Sequence, residues 1–363
     1  MAAIRSDILE RFSIDEDIPD LDLSWLRPEH VASVERIRAG PRGMTLEEVE
    51  RGRGVFAFVD EFTIRPRDVQ PGANVVHTGQ YQMDQSDVWS ENTRLLYEEA
   101  IQRQWSSATD IPWNTVQPLP DDLERAMCQL CTFLTEVEFI AGDTPAQWLS
   151  KIPAEYYETK LFLLTQIMDE ARHLEVFRKR ALANGGGLLS EGQSGPKFRI
   201  ILDATDFTEM SALMHIFAEG FVQTLFRLGE LISFNQAEKT IYRLCAQDES
   251  RHLGFGVMHL KHVLESEPWR REEIHHYLDQ AEGPLAMDVT NIGESGVTPY
   301  FDQAVMILAG GGTKNIDKGA ERLKEIRRKQ VNEYMHRLEV AGLGERRARM
   351  NPFFAQLLDP PQK

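Results

Sequence analysis

Two five-residue stretches, DEARH at positions 169–173 and DESRH at 248–252, decide the expected fold of this 363-residue chain. In each copy a glutamate precedes a histidine by three residues, Glu170 with His173 and Glu249 with His252. On a helix, side chains three apart share one face and stand about one turn from each other, so both can bind the same metal site. Each copy therefore predicts a helix that presents a carboxylate and an imidazole together.

The apolar surroundings of these two copies separate them from chance spacings. Apolar residues at helical spacing flank both copies, namely Leu163, Ile167, Leu174 and Phe177 around the first and Ile241, Cys245, Gly256, Leu260 and Val263 around the second. A carboxylate in such a stripe must be protonated, ion-paired or bound to a cation. Pairing of each glutamate with the arginine two residues later is disfavoured, because side chains two apart on a helix do not face each other.

Three further Glu-x-x-His spacings end at His275, His276 and His336. They lie in the polar stretches REEIHH and NEYMH, so we expect them to be surface residues that bind no metal.

A dinuclear site also needs carboxylates from two more helices, and Glu138 and Glu219 are the candidates. Glu219 interrupts the apolar stripe of HIFAEGFVQTLF, and Glu138 extends the apolar face of an earlier helix, whereas Glu136 points further round. Glu138 precedes Glu170 by 170 − 138 = 32 residues, and Glu219 precedes Glu249 by 249 − 219 = 30 residues. Half a helix, a turn and half an antiparallel helix require about that separation. The two halves form a pseudo-repeat, and Glu136 remains the alternative to Glu138.

The pattern along the chain predicts an all-α protein. Turn signals at 118–120, 142–145 and 185–187 separate segments with apolar residues at three- and four-residue spacing, and no segment alternates as a strand does. The predicted main helices are 89–108, 120–141, 154–183, 206–233 and 235–266, followed after a Gly310 to Gly312 break by a helix from 315 to 341. We expect a wrapping extension over 1–88 with a short helix near 28–39, a metal-binding bundle over 89–268, and a C-terminal helical extension over 269–363.

Composition bounds the partners and the compartment. The formal charge of −17 argues against a nucleic-acid partner. The chain has neither a signal-peptide pattern nor a stretch of about 20 apolar residues, so we expect a cytoplasmic protein with no membrane partner. Three cysteines, Cys128, Cys131 and Cys245, cannot all pair within the chain and are expected to be reduced and buried.

Two D-E-x-R-H copies with two lone glutamates resemble the dinuclear carboxylate proteins of the ferritin-like superfamily. These include the hydroxylase subunits of bacterial multicomponent monooxygenases, the radical-generating subunit of class I ribonucleotide reductase, and the ligand-binding oxidases related to that subunit. The local wording resembles the last group most, through LCT at 130–132, HLEVFR at 173–178 and QWSSATDIPW at 104–113. The resemblance implies a ferritin-like four-helix bundle core with additional N- and C-terminal helices. Its expected metal ligands are Glu138, Glu170, His173, Glu219, Glu249 and His252.

The resemblance also implies roles for residues beside the ligands. In the family the aspartate before each Glu-x-x-His accepts a hydrogen bond from the histidine of the other half, so Asp248 would orient His173 and Asp169 would orient His252. Trp105 falls where the reductase subunit carries its electron-transfer tryptophan.

Other positions depart from the family pattern. Phe177 occupies the position of the radical tyrosine of the reductase. The tyrosine and valine that cross-link in the oxidases would fall near the positions of Met214 and Ala141. Gln223, next to Thr224, replaces a monooxygenase threonine. A tyrosyl radical and the oxidase cross-link are therefore not expected.

The expected function is an oxidase or oxygenase that activates dioxygen for a small organic substrate. Four glutamates balance two divalent ions, which suits iron, with a manganese–iron pair as the other possibility. An electron donor such as a reductase or ferredoxin, and a homodimeric assembly, are expected. A radical-generating accessory subunit and a ferritin-like storage protein are the alternatives. Side chains that could line a substrate pocket beside the ligands are Phe133, Phe177, Met214, Phe217, Phe221 and Phe226.

Overall fold

The computed structural model describes residues 37–59, 67, 69, 83–191, 195–285 and 298–360. Its helices of eight or more residues are numbered here in chain order. They are α1 (Thr93–Gln102), α2 (Asp121–Ala146), α3 (Tyr157–Leu182), α4 (Gly195–Leu202), α5 (Phe207–Ser211, continuing as a π-helix over Ala212–Ala218 and as an α-helix over Glu219–Arg227), α6 (Gln236–Ser266), α7 (Arg271–Gln280), α8 (Tyr300–Gly310) and α9 (Ile316–Ala341).

Shorter elements connect these helices. They are the α-helical turns Leu46–Val49, Gln85–Val88, Arg346–Arg349 and Pro352–Ala355, the 3₁₀ turns Trp113–Thr115, Ala154–Tyr156, Gly229–Leu231, Pro268–Arg270 and Thr313–Asn315, and the π-helical turn Ala281–Leu285. No strand occurs within the described ranges, where Gly40 and Gly43 form an isolated bridge. The all-α prediction is confirmed.

Four helices form the bundle that carries the predicted ligands. Helix α2 packs along α3, α5 packs along α6, and α3 meets α6. Helix α1 packs on α3 and α6, while α8 and α9 pack on α2 and α5 respectively. Side-chain caps start two of the core helices, since Asp206 accepts the Glu209 N–H at the start of α5 and Asn235 accepts the Glu238 N–H at the start of α6.

Several helix boundaries agree with the sequence prediction and others do not. Helices α2, α3, α6 and α9 lie close to the predicted ranges, and Gly311 adopts a φ of 81° at the predicted break. Helix α1 is shorter than 89–108, because after Arg103 the chain turns and the Asp110 side chain accepts the Ser106 N–H. The C-terminal part contains two helices, α7 and α8, that were not predicted.

A short helix was expected at 28–39, and residues 28–36 of it lie outside the described part of the chain. Residues 37–39 are not helical. No helix among the described residues is long and apolar enough to cross a membrane.

Candidate metal centre

Two groups of buried side chains lie together inside the four-helix bundle. In each group, one ligand atom from every residue lies within 4.8 Å of the others. Glu170 and Glu249 belong to both groups, so each could bridge two metal ions. The first group is Glu138, Glu170, His173 and Glu249, and the second is Glu170, Glu219, Glu249 and His252. The structure thus brings all six sequence-predicted ligands together in one cluster.

Each histidine presents one ring nitrogen to the glutamates and the other to an aspartate. His173 Nδ1 lies 3.1 Å from Glu170 and 3.4 Å from Glu249, and His252 Nδ1 lies at the same two distances from them. His173 Nε2 lies 3.2 Å from Asp248. His252 Nε2 lies 3.3 Å from Asp169. Nδ1 is therefore the nitrogen free to bind a metal, and Nε2 anchors the ring on the helix of the other half.

Two arginines join the two aspartates into a neutral ring. Arg172 and Arg251 each contact both Asp169 and Asp248. Both arginines come from the D-E-x-R-H motifs, one turn after the aspartate of their own copy, and both are buried. Sequence reasoning considered these arginines only as partners of the glutamates and missed this role. Their repeated position in the motif was the available signal.

Trp105 completes the surroundings of Asp248. Its indole Nε1 donates a hydrogen bond of 2.7 Å to Asp248 Oδ2, and its ring stacks on the His173 ring at 6.4 Å between centroids. The Arg172 guanidinium lies over the indole at 5.2 Å. The contacts implied for Trp105, Asp248 and His173 are therefore present.

The cluster has the unpaired atoms that a metal site needs. Oxygen atoms of four glutamates and Nδ1 of His252 are buried without a hydrogen-bond partner: Glu138 Oε1, Glu170 Oε1, Glu219 Oε2 and Glu249 Oε2. Leaving so many buried polar atoms without partners is costly, and coordination to cations would remove that cost. Carboxylates and imidazoles are donors that suit divalent iron or manganese. The residues present therefore fit a pair of such ions.

The electrostatics of the cluster favour neutralisation by protons or cations. Burial raises the pKa of Glu138 and of Glu219 well above the ordinary value, and nearby histidines offset this only in part. Burial would lower the pKa of His252, but Glu170 and Glu219 raise it. Cations bound here would compete with protons for these groups.

The structure distinguishes Glu138 from Glu136. Glu138 is buried and belongs to the first ligand group, whereas Glu136 is half-buried and is not part of either group. Two residues along α2 correspond to a rotation of about 200° around the helix axis, so Glu136 lies on a different face from Glu138.

One expectation about the remaining histidines is wrong. His275 is buried and is not a surface residue. The segment around Glu345 packs against α7, and the Glu345 carboxylate lies 3.2 Å from His275 Nε2. His276 and His336 are exposed as expected. None of the three belongs to a metal-ligand group among the described residues.

An apolar pocket adjoins one side of the cluster. Glu138, Glu219 and Glu249 contribute to its wall, and Phe133, Met214, Phe217 and Phe221 line it as predicted. Arg327 and Gln330, from α9, add polar groups to the lining, and Arg327 pairs with Asp302 and Gln330.

The other two predicted pocket residues lie elsewhere. Phe177 and Phe226 pack against each other at 5.5 Å and against Tyr242, away from the pocket. Phe177 follows Glu170 by seven residues, so it lies two turns further along α3.

Other polar residues around the cluster were missed from the sequence. Gln166 donates a hydrogen bond of 2.9 Å to Glu219 and also contacts His215, which contacts Ser211. Cys245 is buried, and burial raises the pKa of its thiol, an effect that His173 offsets in part. Gln166 and Cys245 each precede a motif glutamate by four residues, a spacing that could have drawn attention to both.

Comparison with known proteins identifies the fold. No family model and no curated protein sequence matches the chain. Solved structures of R2-like ligand-binding oxidase variants do match. One with an aerobically reconstituted Mn/Fe cofactor is 16% identical with a TM-score of 0.52, and one with an Fe/Fe cofactor is 17% identical with a TM-score of 0.53. Each match covers 69% of this chain and 94% of the other. The chain therefore has the ferritin-like fold of these oxidases.

Proposed function

We propose that the cluster is a non-haem dinuclear iron centre that activates dioxygen to oxidise or oxygenate a small organic substrate. The observation that carries the proposal is the pair of buried ligand groups that share Glu170 and Glu249. Four carboxylates balance the charge of two divalent ions, and mixed oxygen and nitrogen donors suit ferrous iron. The solved structures of the same fold are named oxidases and carry Mn/Fe or Fe/Fe cofactors, which supports the proposal.

The protein's own residues would prepare the site for this chemistry. Two ferrous ions, when bound, would supply electrons for the reduction of dioxygen. Glu170 and Glu249 would hold the two ions close together, and Asp169 and Asp248 would fix the orientation of the histidine rings. Because Nε2 of each histidine is taken by an aspartate, only Nδ1 is available for coordination.

The pocket defines the kind of substrate that the site would accept. Its aromatic and aliphatic wall beside Glu138, Glu219 and Glu249 would exclude water and bind an apolar group next to the ligands. A largely apolar organic molecule of small size fits this lining best. An oxidant produced beside such a wall reaches the substrate before it reaches bulk water.

We also propose that electrons from a reductase or ferredoxin enter through Trp105. The indole is 8% exposed and so lies close to the surface, and its hydrogen bond to Asp248 continues to His173. Hydrogen bonds therefore connect Trp105 through Asp248 to the predicted ligand His173.

The proposal is tested by anaerobic loading with ferrous iron followed by a pulse of dioxygen. We expect two irons per chain by metal analysis, and optical and Mössbauer spectra that change on oxygenation. His276→Ala, which replaces an exposed histidine, is the matched control for His173→Ala and should keep both irons. Failure of the parent protein to bind two metal ions, or spectra indifferent to dioxygen, would contradict the proposal.

Two further measurements decide between the metals and identify the chemistry. One manganese per iron in protein purified from its native source would indicate a mixed pair. Mass analysis of bound small molecules before and after an isotopically labelled dioxygen pulse would reveal whether oxygen is inserted into an organic substrate or only reduced.

A further inference from the structure

A chain of three buried polar side chains ends on Glu219. Gln166 Nε2 lies 2.9 Å from Glu219 Oε1, and Gln166 Oε1 lies 3.2 Å from His215 Nε2. His215 Nδ1 lies 2.9 Å from Ser211 Oγ. Gln166 comes from α3, whereas His215 and Ser211 precede Glu219 on α5, and all are buried. None of the three is a member of the two ligand groups.

The carboxylate sets the direction of every hydrogen bond in this chain. As a metal ligand Glu219 is ionised and only accepts, so the Gln166 amide nitrogen must face it and the amide oxygen must face His215. His215 therefore carries its proton on Nε2, and its Nδ1 accepts from the Ser211 hydroxyl. Burial, with His252 and His259 nearby, lowers the pKa of His215 well below its ordinary value, so the ring stays neutral.

The hydrogen bond from Gln166 fixes the orientation of the Glu219 carboxylate. Oε1 accepts from Gln166, whereas the buried Oε2 has no hydrogen-bond partner. Glu138, at the corresponding place in the first half, is held differently. Its Oε2 lies 3.7 Å from His173 and its Oε1 is without a partner, and no amide side chain donates to it among the described residues.

The position equivalent to Gln166 in the other half of the pseudo-repeat carries a different residue. Gln166 stands four residues before Glu170, and Cys245 stands four residues before Glu249. At equivalent turns of α3 and α6, one half therefore has an amide that binds Glu219 and the other has a buried thiol. The two metal positions consequently have unequal surroundings.

We propose that Ser211, His215 and Gln166 are positioning residues that fix the orientation of the Glu219 carboxylate and thereby tighten the metal position formed with His252. The inference rests on the proposed dinuclear centre. A fixed ligand loses less conformational freedom when it binds, so its metal position gains affinity. Removal of an outer hydrogen-bond partner of a ligand typically weakens metal binding about 10–100-fold.

The test is an anaerobic ferrous titration of the full chain and its Gln166→Leu variant, followed by near-infrared circular dichroism. Leucine keeps the buried volume close to that of glutamine and removes the amide. We expect one ion to bind about 10–100-fold more weakly and the other to bind as in the parent. The bands of the weakened position should shift, because the Glu219 carboxylate becomes free to rotate.

Thr165→Val is the matched control. Thr165 is the buried neighbour of Gln166 on α3, and its hydroxyl bonds to the Phe162 carbonyl within the helix. The variant should have the affinities, the bands and the unfolding temperature of the parent. Ser211→Ala should reproduce a smaller part of the Gln166→Leu effect, and Ser211→Thr should restore parental binding. Should Gln166→Leu not fold, the serine pair carries the same test.

Each result separates the inference from the proposed function. Parental affinities and bands in Gln166→Leu, or equal weakening of both ions together with a lower unfolding temperature, would overturn the positioning role while leaving the dinuclear centre in place. A parent protein that binds fewer than two ferrous ions overturns both.

Discussion

Replacing Asp248 by alanine should weaken one metal position and leave the other intact. Asp248 accepts hydrogen bonds from Trp105 at 2.7 Å and from His173 and Arg172, both at 3.2 Å. Burial would raise its pKa, but His173, Arg251 and Trp105 lower it below the ordinary value, so the carboxylate is ionised. Loss of such a partner typically costs about 10–100-fold in metal affinity, or ~1.4–2.7 kcal/mol. The effect should fall on the His173 position, since Asp169 holds His252.

The fold should tolerate the change. Arg172 and Arg251 both keep Asp169 as a partner, so the loss of unfolding free energy should stay below the ~3–5 kcal/mol typical of breaking an isolated buried ion pair. Thermal unfolding of the metal-free variant measures this loss, and the anaerobic ferrous titration measures the two affinities.

Two companion variants sharpen the result. Asp169→Ala should weaken the His252 position instead, and Trp105→Phe should keep both affinities but slow the reduction of the oxidised site. If Asp248→Ala binds both ions as tightly as the parent, Asp248 does not orient His173 and the proposed electron path through it is absent.

Three further predictions follow from the geometry. Glu170→Ala should abolish dinuclear loading with little change in helical circular dichroism, because both ligand groups contain this residue, and metal analysis that still finds two irons per chain would refute the bridging arrangement. Glu138→Ala should lose one iron and Glu136→Ala none, and the reverse stoichiometry would mean that the wrong turn of α2 faces the metals. Burial lowers the pKa of His259 from 6.5 to about 3. The unfolded chain then binds a proton that the folded protein refuses, so unfolding free energy should fall as pH drops from about 6.5 towards 3, by up to ~1.4 kcal/mol per pH unit. His259→Leu should reduce that slope in urea melts, and an unchanged slope would exclude His259 as its source.

The sequence was sufficient for the bundle and for the residues that gather in its centre. The two D-E-x-R-H copies lie on helices α3 and α6, and Glu138 and Glu219 on α2 and α5, as their apolar stripes predicted. Helical periodicity fixes which face a side chain occupies, so contacts within one face can be expected from spacing alone. The contacts of Asp169 and Asp248 with the histidine of the other half were predicted from the family resemblance.

Features that depend on how helices pack could not be predicted in the same way. Which glutamates are shared by both ligand groups follows from the rotation of α3 against α6, and no local pattern encodes that rotation. The same holds for Phe177 and Phe226, whose stripe positions did not reveal on which side of the ligands they lie. His275 stands in a polar stretch, yet contacts distant in sequence bury it.

The π-helical segment Ala212–Ala218 makes α5 intolerant of changes in length. A π-helical turn contains about one residue more than an α-helical turn, so a deletion that restored regular α-helix would keep the flanking helix nearly in register but would move the side chains inside the segment. His215, which lies inside the segment, would then move relative to its hydrogen-bond partner Ser211, while Glu219 stayed in the cluster. Insertions and deletions in natural relatives should therefore accumulate in the loops on either side of α5 and spare these seven residues.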